Sequence, residues 1–144
     1  IKRRVGAVRA IVPEAQIGLH LHDTRGVGGA NVYAALQMGV RLFDSSGAGL
    51  GGCPFAGHTH GGAAGNICTE DMVFMCQELG IETGIDLELL IEAARLAERI
   101  IGRTLSGHVM HSGSLNVFRA GQQMQEVVTR CPERGQGAEH LFSY

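Results

Sequence analysis

Two stretches of the sequence carry the residues best suited to chemistry. The first is His20-Leu21-His22-Asp23, and the second runs from Asp44 to Asn66 with eight glycines among its twenty-three residues. Such glycine density indicates a backbone that bends sharply or closely approaches a ligand. The second stretch also carries Cys53, directly after two glycines, and closes at Asn66. We therefore predict that the two stretches form part of a metal-dependent active site.

The two histidines of the first stretch have the spacing of a strand. They alternate with Leu19 and Leu21, so a period of two places His20 and His22 on one face. A rise of about 3.3 Å per residue puts them roughly 7 Å apart along the strand, and both side chains can reach one ion beyond its end. The alternative is that one histidine is a hydrogen-bonded core residue and the other caps a loop.

Four further side chains of the second stretch could also contribute to such a site. Asn66 offers a carbonyl oxygen, although it could equally form a left-handed turn or a helix cap. A mixed shell of imidazole and oxygen ligands suits a divalent ion such as Mg²⁺ or Mn²⁺ and disfavours a thiolate zinc site. We expect Cys53 to be exposed on a glycine hinge, where a nearby cation favours its thiolate. Gly-flanked histidines such as His58 and His60 are more often solvated than ligating.

The elements around these stretches alternate between helix and strand. Residues 2–12 predict a helix with Val5, Val8 and Val12 on one stripe, residues 17–21 a strand, 30–38 a helix and 40–44 a second strand. Thr69 predicts the N-cap of a helix that ends at Gly80. Asp86 predicts the cap of another that ends at Gly102, with a buried stripe of Leu90, Ala93, Ala94, Ala97 and Ile101. Residues 117–128 could form a last helix.

This alternation predicts an α/β fold with a parallel sheet. In such folds, binding sites gather at the carboxyl ends of the strands, and here both predicted strands end in polar residues. Local pattern and candidate chemistry therefore agree. Two strands are too few for a complete sheet, which predicts that further strands are needed.

Composition excludes several classes of partner. The 144 residues carry 12 Lys plus Arg and 14 Asp plus Glu, for a formal charge of −2, which argues against a nucleic-acid or anionic-membrane surface. No apolar run is long enough to span a bilayer. The four cysteines form no C-x-x-C pair; we expect Cys68 and Cys76 to be structural thiols in a reducing cytoplasm. The sequence does not begin with Met, and we expect it to be part of a longer protein.

Three segments carry a specific resemblance. GLHLHDTRG (18–26), VRLFDSSGAGLGGCPFA (40–56) and AAGNICTEDMVFM (63–75) resemble 3-hydroxy-3-methylglutaryl-CoA lyase, a family of the metal-dependent TIM-barrel lyases and synthases. The resemblance runs from about residue 17 to residue 101. Its signature is G-L-G-G-C-P; the related synthases typically continue with Glu-Arg after the glycine and lack the cysteine, which favours a lyase.

The resemblance implies a fold, a reaction and a set of site residues. Residues 1–107 would be the C-terminal part of a (β/α)8 barrel, with a partly helical or disordered tail over 108–144. His20, His22 and Asn66 would ligate Mg²⁺ or Mn²⁺, and Cys53 would be the catalytic thiol on a mobile loop, with His20 assisting proton transfer. The acyl-CoA substrate would be 3-hydroxy-3-methylglutaryl-CoA, split into acetyl-CoA and acetoacetate. We also expect a homo-oligomer.

Two departures from the family pattern leave alternatives open. GHTHGG lengthens the link between Cys53 and Asn66 by about four residues, which could change substrate choice toward a related 3-hydroxy-3-alkylglutaryl-CoA. The family's first strand supplies an aspartate ligand and a neighbouring arginine, and nothing here corresponds to them. We therefore expect the chain alone to be inactive, and a truncated, non-catalytic fragment is the second hypothesis.

Overall fold

The computed structural model describes residues 1–52, 65–116 and 118–121. Cys53, His58, His60 and residues 117 and 122–128 of the predicted helix 117–128 lie outside these ranges. The elements are α1 (Lys2–Ile11), β1 (Gly18–His20), α2 (Gly28–Gln37), β2 (Leu42–Asp44), a 3-10 turn (Gly47–Gly49), α3 (Thr69–Glu78), α4 (Leu87–Ile101) and α5 (Val109–Ser112). Ile1–Ser114 forms one compact unit, and a second begins at Leu115. In the second unit, the Arg119 N–H donates to the Leu115 carbonyl.

A β-α-β unit builds the sheet. β1 and β2 pair in parallel, with Gly18 opposite Leu42, Leu19 opposite Phe43 and His20 opposite Asp44. Helix α2 makes the crossover that parallel neighbours need. The α/β class is therefore confirmed, and over the described ranges the sheet has these two strands and no closed barrel. The predicted strand 17–21 is present as its central residues.

Helix α2 begins earlier than the sequence predicts. Its first residue is Gly28, whose N–H donates to Asp23 Oδ1 at 2.6 Å, so the predicted start at Ala30 is wrong by two residues. A Cβ at Gly28 would lie 2.7 Å from the Ile67 side chain. Glycine is required there because the helix start packs directly on the segment that carries Asn66.

The prediction that Thr69 caps α3 is wrong. Thr69 is the first helical residue, and Cys68 precedes it at the N-cap position. The Thr69 hydroxyl pairs with the Ser45 hydroxyl at 2.9 Å, and its N–H donates to the Ser46 carbonyl at 2.9 Å. The side chain is used to join α3 to the end of β2 instead of to satisfy the helix's own amides. The predicted end of α3 is confirmed by Gly80, which has a left-handed φ of 70°.

Helix α4 confirms its predicted ends and corrects its predicted face. Asp86 Oδ1 accepts from Glu88 N at 2.9 Å and from Leu89 N at 3.1 Å, while Gly102 ends the helix with a φ of 73°. The buried residues are Leu87, Ile91 and Ala94, whereas Ala93 and Ile101 of the predicted stripe are exposed. The buried face is thus rotated about the helix axis relative to the predicted one, because α4 is apolar on two sides.

The remaining predictions concern α1, membranes and the domain boundary. In α1, Val5 is buried, whereas Val8 and Val12 of the predicted stripe are 43% and 48% exposed. None of the described helices is long and apolar enough to cross a bilayer. Helix α5 packs against α3 and α4 within the first unit. The predicted boundary after residue 107 stays a prediction.

Candidate metal centre

His20 is oriented by a carboxylate from the neighbouring strand. The strand register places it opposite Asp44, and its Nδ1 lies 3.0 Å from Asp44 Oδ2. Both side chains are at least half exposed, at 50% and 74%. A carboxylate on Nδ1 selects the tautomer in which that nitrogen carries the proton, which leaves the Nε2 lone pair available. This role was not assigned to Asp44 from sequence, although the polar residues at the ends of both strands indicated that Asp44 lies near His20.

His22 presents its Nε2 to the same point as His20. The two Nε2 atoms are 3.0 Å apart, and the rings meet edge to face with centroids separated by 4.9 Å. Two metal–nitrogen bonds of about 2.1 Å at a right angle would separate the nitrogens by about 3.0 Å. Without an ion the same distance is a hydrogen bond in which one Nε2–H donates to the other ring. The spacing of the two nitrogens therefore fits ligation of one ion.

Asn66 lies directly opposite His22. The two residues form an antiparallel bridge, flanked by Asp23 N donating to Gly65 O and Ile67 N donating to Leu21 O, both at 3.3 Å. In this kind of pair the opposed side chains lie on the same side and close together. Asn66 is neither a left-handed turn nor a helix cap, so those two alternatives are wrong.

The Asn66 amide is held with its oxygen free. Its Nδ2 donates to the Leu50 carbonyl at 3.1 Å, whereas its Oδ1 is buried and has no hydrogen-bond partner among the described residues. Buried polar atoms rarely stay unpartnered, and a carboxamide oxygen is a good ligand for a hard divalent cation. His22 Nδ1 is likewise buried without a partner in the same ranges. The unpartnered Asn66 Oδ1 indicates a site built for one more component.

Among the described residues, no third imidazole and no carboxylate adds to this set of candidate ligands. In residues 1–52, 65–116 and 118–121 no cluster of three or more His, Cys, Asp or Glu side chains is arranged to hold a metal. The donor set is therefore two imidazole nitrogens and one amide oxygen. These fit a borderline or hard divalent ion that takes its remaining ligands from elsewhere. The chemistry available is that of a Lewis acid.

A glycine stem fixes Asn66 beside the segment that leads to Cys53. Gly51 has a φ of 93°, and a Cβ on it would lie 2.9 Å from Asn66 Nδ2. A Cβ on Gly65 would lie 2.0 Å from the Gly49 carbonyl oxygen and 2.2 Å from that of Gly51. These approaches are possible only for glycine. The stem, residues 49–51 and 65–66, therefore brings together two segments separated by Cys53 and its neighbours.

A buried carboxylate that sequence reasoning missed supports this stem. Glu70 is fully buried, and its Oε2 accepts from the Ala48 N–H at 3.0 Å. Ala48 has a left-handed φ of 54°, which is strained for a residue with a side chain, so that hydrogen bond holds an unfavourable turn in place. Burial raises the pKa of Glu70, and its Oε1 has no described partner. In the sequence Glu70 looked like an ordinary first-turn acid.

A separate cavity of about 430 Å³ lies between the start of α2, α3 and α5. It is lined by Asp23, Cys68, Asp71 and His108 among others, and by none of the three candidate ligands. The hydrogen bond that His108 Nδ1–H donates to Asp71 Oδ2, at 2.9 Å, raises the pKa of His108. Burial raises the pKa of the Cys68 thiol to about 12, which agrees with the structural role expected of this cysteine.

Comparison with known proteins identifies the family. A family model described as HMGL-like matches residues 1–97. The hydroxymethylglutaryl-CoA lyase of Bacillus subtilis is 45% identical over 114 residues, which are 79% of this chain and 35% of that protein. The (R)-citramalyl-CoA lyase of Chloroflexus aurantiacus is 45% identical over 121 residues, which are 84% of this chain and 34% of that protein.

Structural comparison agrees. An HMG-CoA lyase from Acinetobacter baumannii, solved in complex with coenzyme A and 3-methylmalate, has a TM-score of 0.70 at 46% identity and covers 78% of this chain and 36% of that one. The chain spans about a third of the length of the relatives it matches. These relatives are carbon–carbon lyases, and the resemblance drawn from the histidine pair and the glycine-rich segment is confirmed. The chain belongs to the HMGL-like family.

Proposed function

We propose that this chain is part of a metal-dependent carbon–carbon lyase that cleaves 3-hydroxy-3-methylglutaryl-CoA into acetyl-CoA and acetoacetate. In this proposal, β1 and β2 are two strands of a (β/α)8 barrel. The observation that carries the proposal is the convergence of His20 Nε2, His22 Nε2 and the Asn66 side chain at the carboxyl end of β1. Family membership supports the reaction class.

His20, His22 and Asn66 would hold Mg²⁺ or Mn²⁺. When bound, the ion supplies Lewis-acid stabilisation of negative charge on substrate oxygens. Asp44 keeps the His20 ring turned so that Nε2 faces the site, and the hydrogen bond from Asn66 Nδ2 to the Leu50 carbonyl leaves the buried Asn66 Oδ1 without a partner among the described residues. This preorganisation means that the ligands need not be reoriented at the moment of reaction.

The reaction breaks the bond between C2 and C3 of the substrate. The C3 hydroxyl gives its proton to a general base as the carbonyl of acetoacetate forms, and the electron pair of the broken bond passes to C2 as the enolate of acetyl-CoA. We assign the return of a proton to C2 to Cys53, which follows Gly51 by two positions in the sequence, and we assign His20 an assisting role in proton transfer. The contact of Gly51 with Asn66 supports this assignment, because it ties the backbone before the thiol to a candidate ligand.

A second substrate of the same class has an observation in its favour. The Chloroflexus relative is named as an (R)-citramalyl-CoA lyase and matches as much of this chain as the hydroxymethylglutaryl-CoA lyases do. Citramalyl-CoA and a 3-hydroxy-3-alkylglutaryl-CoA would undergo the same bond cleavage with a different side chain.

Free, buried Cys68 and Cys76 are compatible with the cytoplasmic location that we propose.

Metal binding tests the site without relying on activity. Mn²⁺ is titrated into the 144-residue chain, and the electron paramagnetic resonance signal of the free ion gives the bound fraction. We expect one site, weakened at least about tenfold by His22→Ala or Asn66→Ala and comparably by Asp44→Asn. His108→Ala is the control, because this exposed histidine lies outside the donor set. Equal binding by the parent and His22→Ala would refute the ligand assignment.

The reaction is tested in a chimera. Residues 1–114 of this chain replace the matching third of the Bacillus subtilis lyase, and acetoacetate is measured after adding 3-hydroxy-3-methylglutaryl-CoA with Mg²⁺ or Mn²⁺. We expect turnover that Cys53→Ala nearly abolishes while Mn²⁺ binding persists. A folded, metal-binding chimera that cleaves only citramalyl-CoA would favour the second substrate. Turnover of neither would support the non-catalytic hypothesis.

A further inference from the structure

Asp23 uses its backbone and its side chain to join three segments beside the candidate ligands. Its N–H donates to the Gly65 carbonyl at 3.3 Å, and its own carbonyl accepts from the Gly26 N–H at 3.0 Å. Its Oδ1 accepts from the N–H of Gly28, the first residue of α2, at 2.6 Å. Asp23 therefore connects the end of the segment after β1, the start of α2 and the segment that carries Asn66.

The Asp23 carboxylate lies on the side of the chain away from the candidate histidine ligands. His22 forms an antiparallel bridge, so the backbone is extended there, and successive side chains of an extended segment point to opposite sides. The carboxylate lines the cavity between α2, α3 and α5, which neither His20 nor His22 lines. Although His20, His22 and Asp23 could be three ligands by their spacing in the sequence, the structure separates the third from the other two.

The start of α2 packs tightly against Asp23 and against Ile67. Gly28 is buried, and a Cβ on it would lie 2.8 Å from Asp23 Oδ1 and 2.7 Å from Ile67 Cγ1. Asp23 follows His22 in the sequence, and Ile67 follows Asn66. The first residue of α2 therefore contacts the neighbour of each residue in the His22–Asn66 bridge. A carboxylate beside the first turn of a helix is also stabilised by the helix dipole.

The backbone hydrogen bonds that flank the bridge are long, whereas the side-chain hydrogen bond of Asp23 is short. The bond from Asp23 N to the Gly65 carbonyl and the bond from Ile67 N to the Leu21 carbonyl both measure 3.3 Å, beyond the usual range of about 2.7–3.2 Å. The bond from Gly28 N to Asp23 Oδ1 measures 2.6 Å, and its acceptor is a carboxylate, which makes it the stronger kind. The carboxylate therefore contributes more to holding this end of the bridge than either backbone bond does.

We propose that Asp23 is a positioning residue of the metal centre. Its carboxylate ties the bridge to α2 and so keeps the side chains of His22 and Asn66 at the spacing that one ion requires, while Asp23 makes no bond to the ion. This inference rests on the proposed function, which assigns His22 and Asn66 as ligands. Because Asp23 acts through the backbone, its loss should weaken metal binding less than the loss of a ligand does.

Titration of the 144-residue chain with Mn²⁺, read by electron paramagnetic resonance, tests this role. Asp23→Ala should raise the dissociation constant about 3- to 10-fold. Asp23→Asn keeps an oxygen that can accept from the Gly28 N–H and should bind Mn²⁺ within about twofold of the parent. Equal losses in the two variants would overturn the proposal, because the charge of Asp23 and not its hydrogen bond would then set the affinity.

Asp86→Ala is the matched control. Asp86 also accepts backbone N–H groups at the start of a helix, but its side chain forms these hydrogen bonds within α4. Both Ala variants should lower the urea concentration at the midpoint of unfolding, whereas only Asp23→Ala should weaken Mn²⁺ binding. Equal weakening of Mn²⁺ binding by both variants would reflect a general loss of stability and would contradict the positioning role.

Amide hydrogen exchange in the metal-free chain separates this proposal from the ligand assignment. The Ile67 N–H, which donates beside the bridge, should exchange at least about fivefold faster in Asp23→Ala and at the parent rate in Asp23→Asn. If this difference appears but the parent binds no Mn²⁺, the contact of Asp23 is supported and the ligand assignment is refuted. If the parent binds Mn²⁺ and Asp23→Ala changes neither the exchange nor the affinity, the positioning role is refuted and the ligand assignment stands.

Discussion

The contact between Glu70 and Ala48 gives the most direct test of how the glycine stem is held. Glu70→Ala removes the oxygen that accepts from the buried Ala48 N–H. Glu70→Gln keeps an acceptor oxygen and nearly the same volume. The two variants therefore separate the hydrogen bond and packing from the charge of the carboxylate.

The structure sets the expected magnitudes. Leaving the Ala48 N–H buried without an acceptor costs about 1–3 kcal/mol. Loss of the buried side chain adds about 1 kcal/mol, so we expect Glu70→Ala to lower the free energy of unfolding by about 2–4 kcal/mol. Glu70→Gln should cost less than about 1 kcal/mol, since Oε1 of the parent has no partner to lose among the described residues.

The pKa of Glu70 determines the direction in which its contribution to stability changes with pH. Burial raises the pKa of Glu70 from its usual 4.5, so the folded state binds the proton more tightly than the unfolded state does. The stability that this group contributes is therefore complete below about pH 4.5 and is lost as pH rises through the folded pKa. Gln cannot titrate. Its stability relative to the parent should rise as pH rises.

Urea unfolding followed by circular dichroism measures these effects at about pH 5 and about pH 8. Comparing the variant with the parent at each pH cancels the titration of other groups, including His108. The interpretation fails if Glu70→Ala costs less than about 1 kcal/mol, or if Gln is as harmful as Ala at both pH values. A difference between Gln and the parent that does not change with pH would rule out a buried, titrating carboxylate.

Three further predictions concern contacts outside the stem. Asp71→Asn should lower the pKa of His108 in an NMR titration, because Asp71 Oδ2 holds its ring nitrogen; an unchanged titration would contradict that pairing. Asp86→Ala should lower the free energy of unfolding by about 0.5–2 kcal/mol through loss of the α4 cap, as measured in urea, and no loss would disprove the cap. Cys68, whose pKa burial raises to about 12, should escape iodoacetamide in the folded chain and react after unfolding, as read by peptide mass mapping; rapid labelling without unfolding would show that it is exposed.

Local pattern was sufficient for the parts of the fold that depend on neighbours in sequence. Alternation of Leu19 and Leu21 with the histidines predicted β1, and the shared face predicted that His20 and His22 meet. The cap at Asp86 and the stop at Gly102 were equally local. The face of α4 was not, because a helix that is apolar on two sides can be rotated without violating its own pattern.

Contacts between distant segments account for the rest. Whether Asn66 lies opposite His22 depends on how residues 65–67 pair with 21–23, and no periodicity reports that pairing. The burial of Glu70 depends on the turn at Ala48, which is twenty-two residues away. Thr69 is a residue type that favours the N-cap, but its hydroxyl pairs with the Ser45 hydroxyl and its N–H donates to the Ser46 carbonyl. Each of these features is decided by tertiary packing.

The glycine stem makes the position of the Asn66 amide nearly independent of the length of the segment between residues 52 and 65. Closing a loop of twelve residues in place of eight costs only about 0.4 kcal/mol of chain entropy. With Gly65 against the Gly49 carbonyl and Asn66 tied to Leu50, that small cost falls on the segment and does not shift the amide oxygen. The length and composition of the sequence between residues 52 and 65 can therefore vary while the Asn66 amide keeps its position.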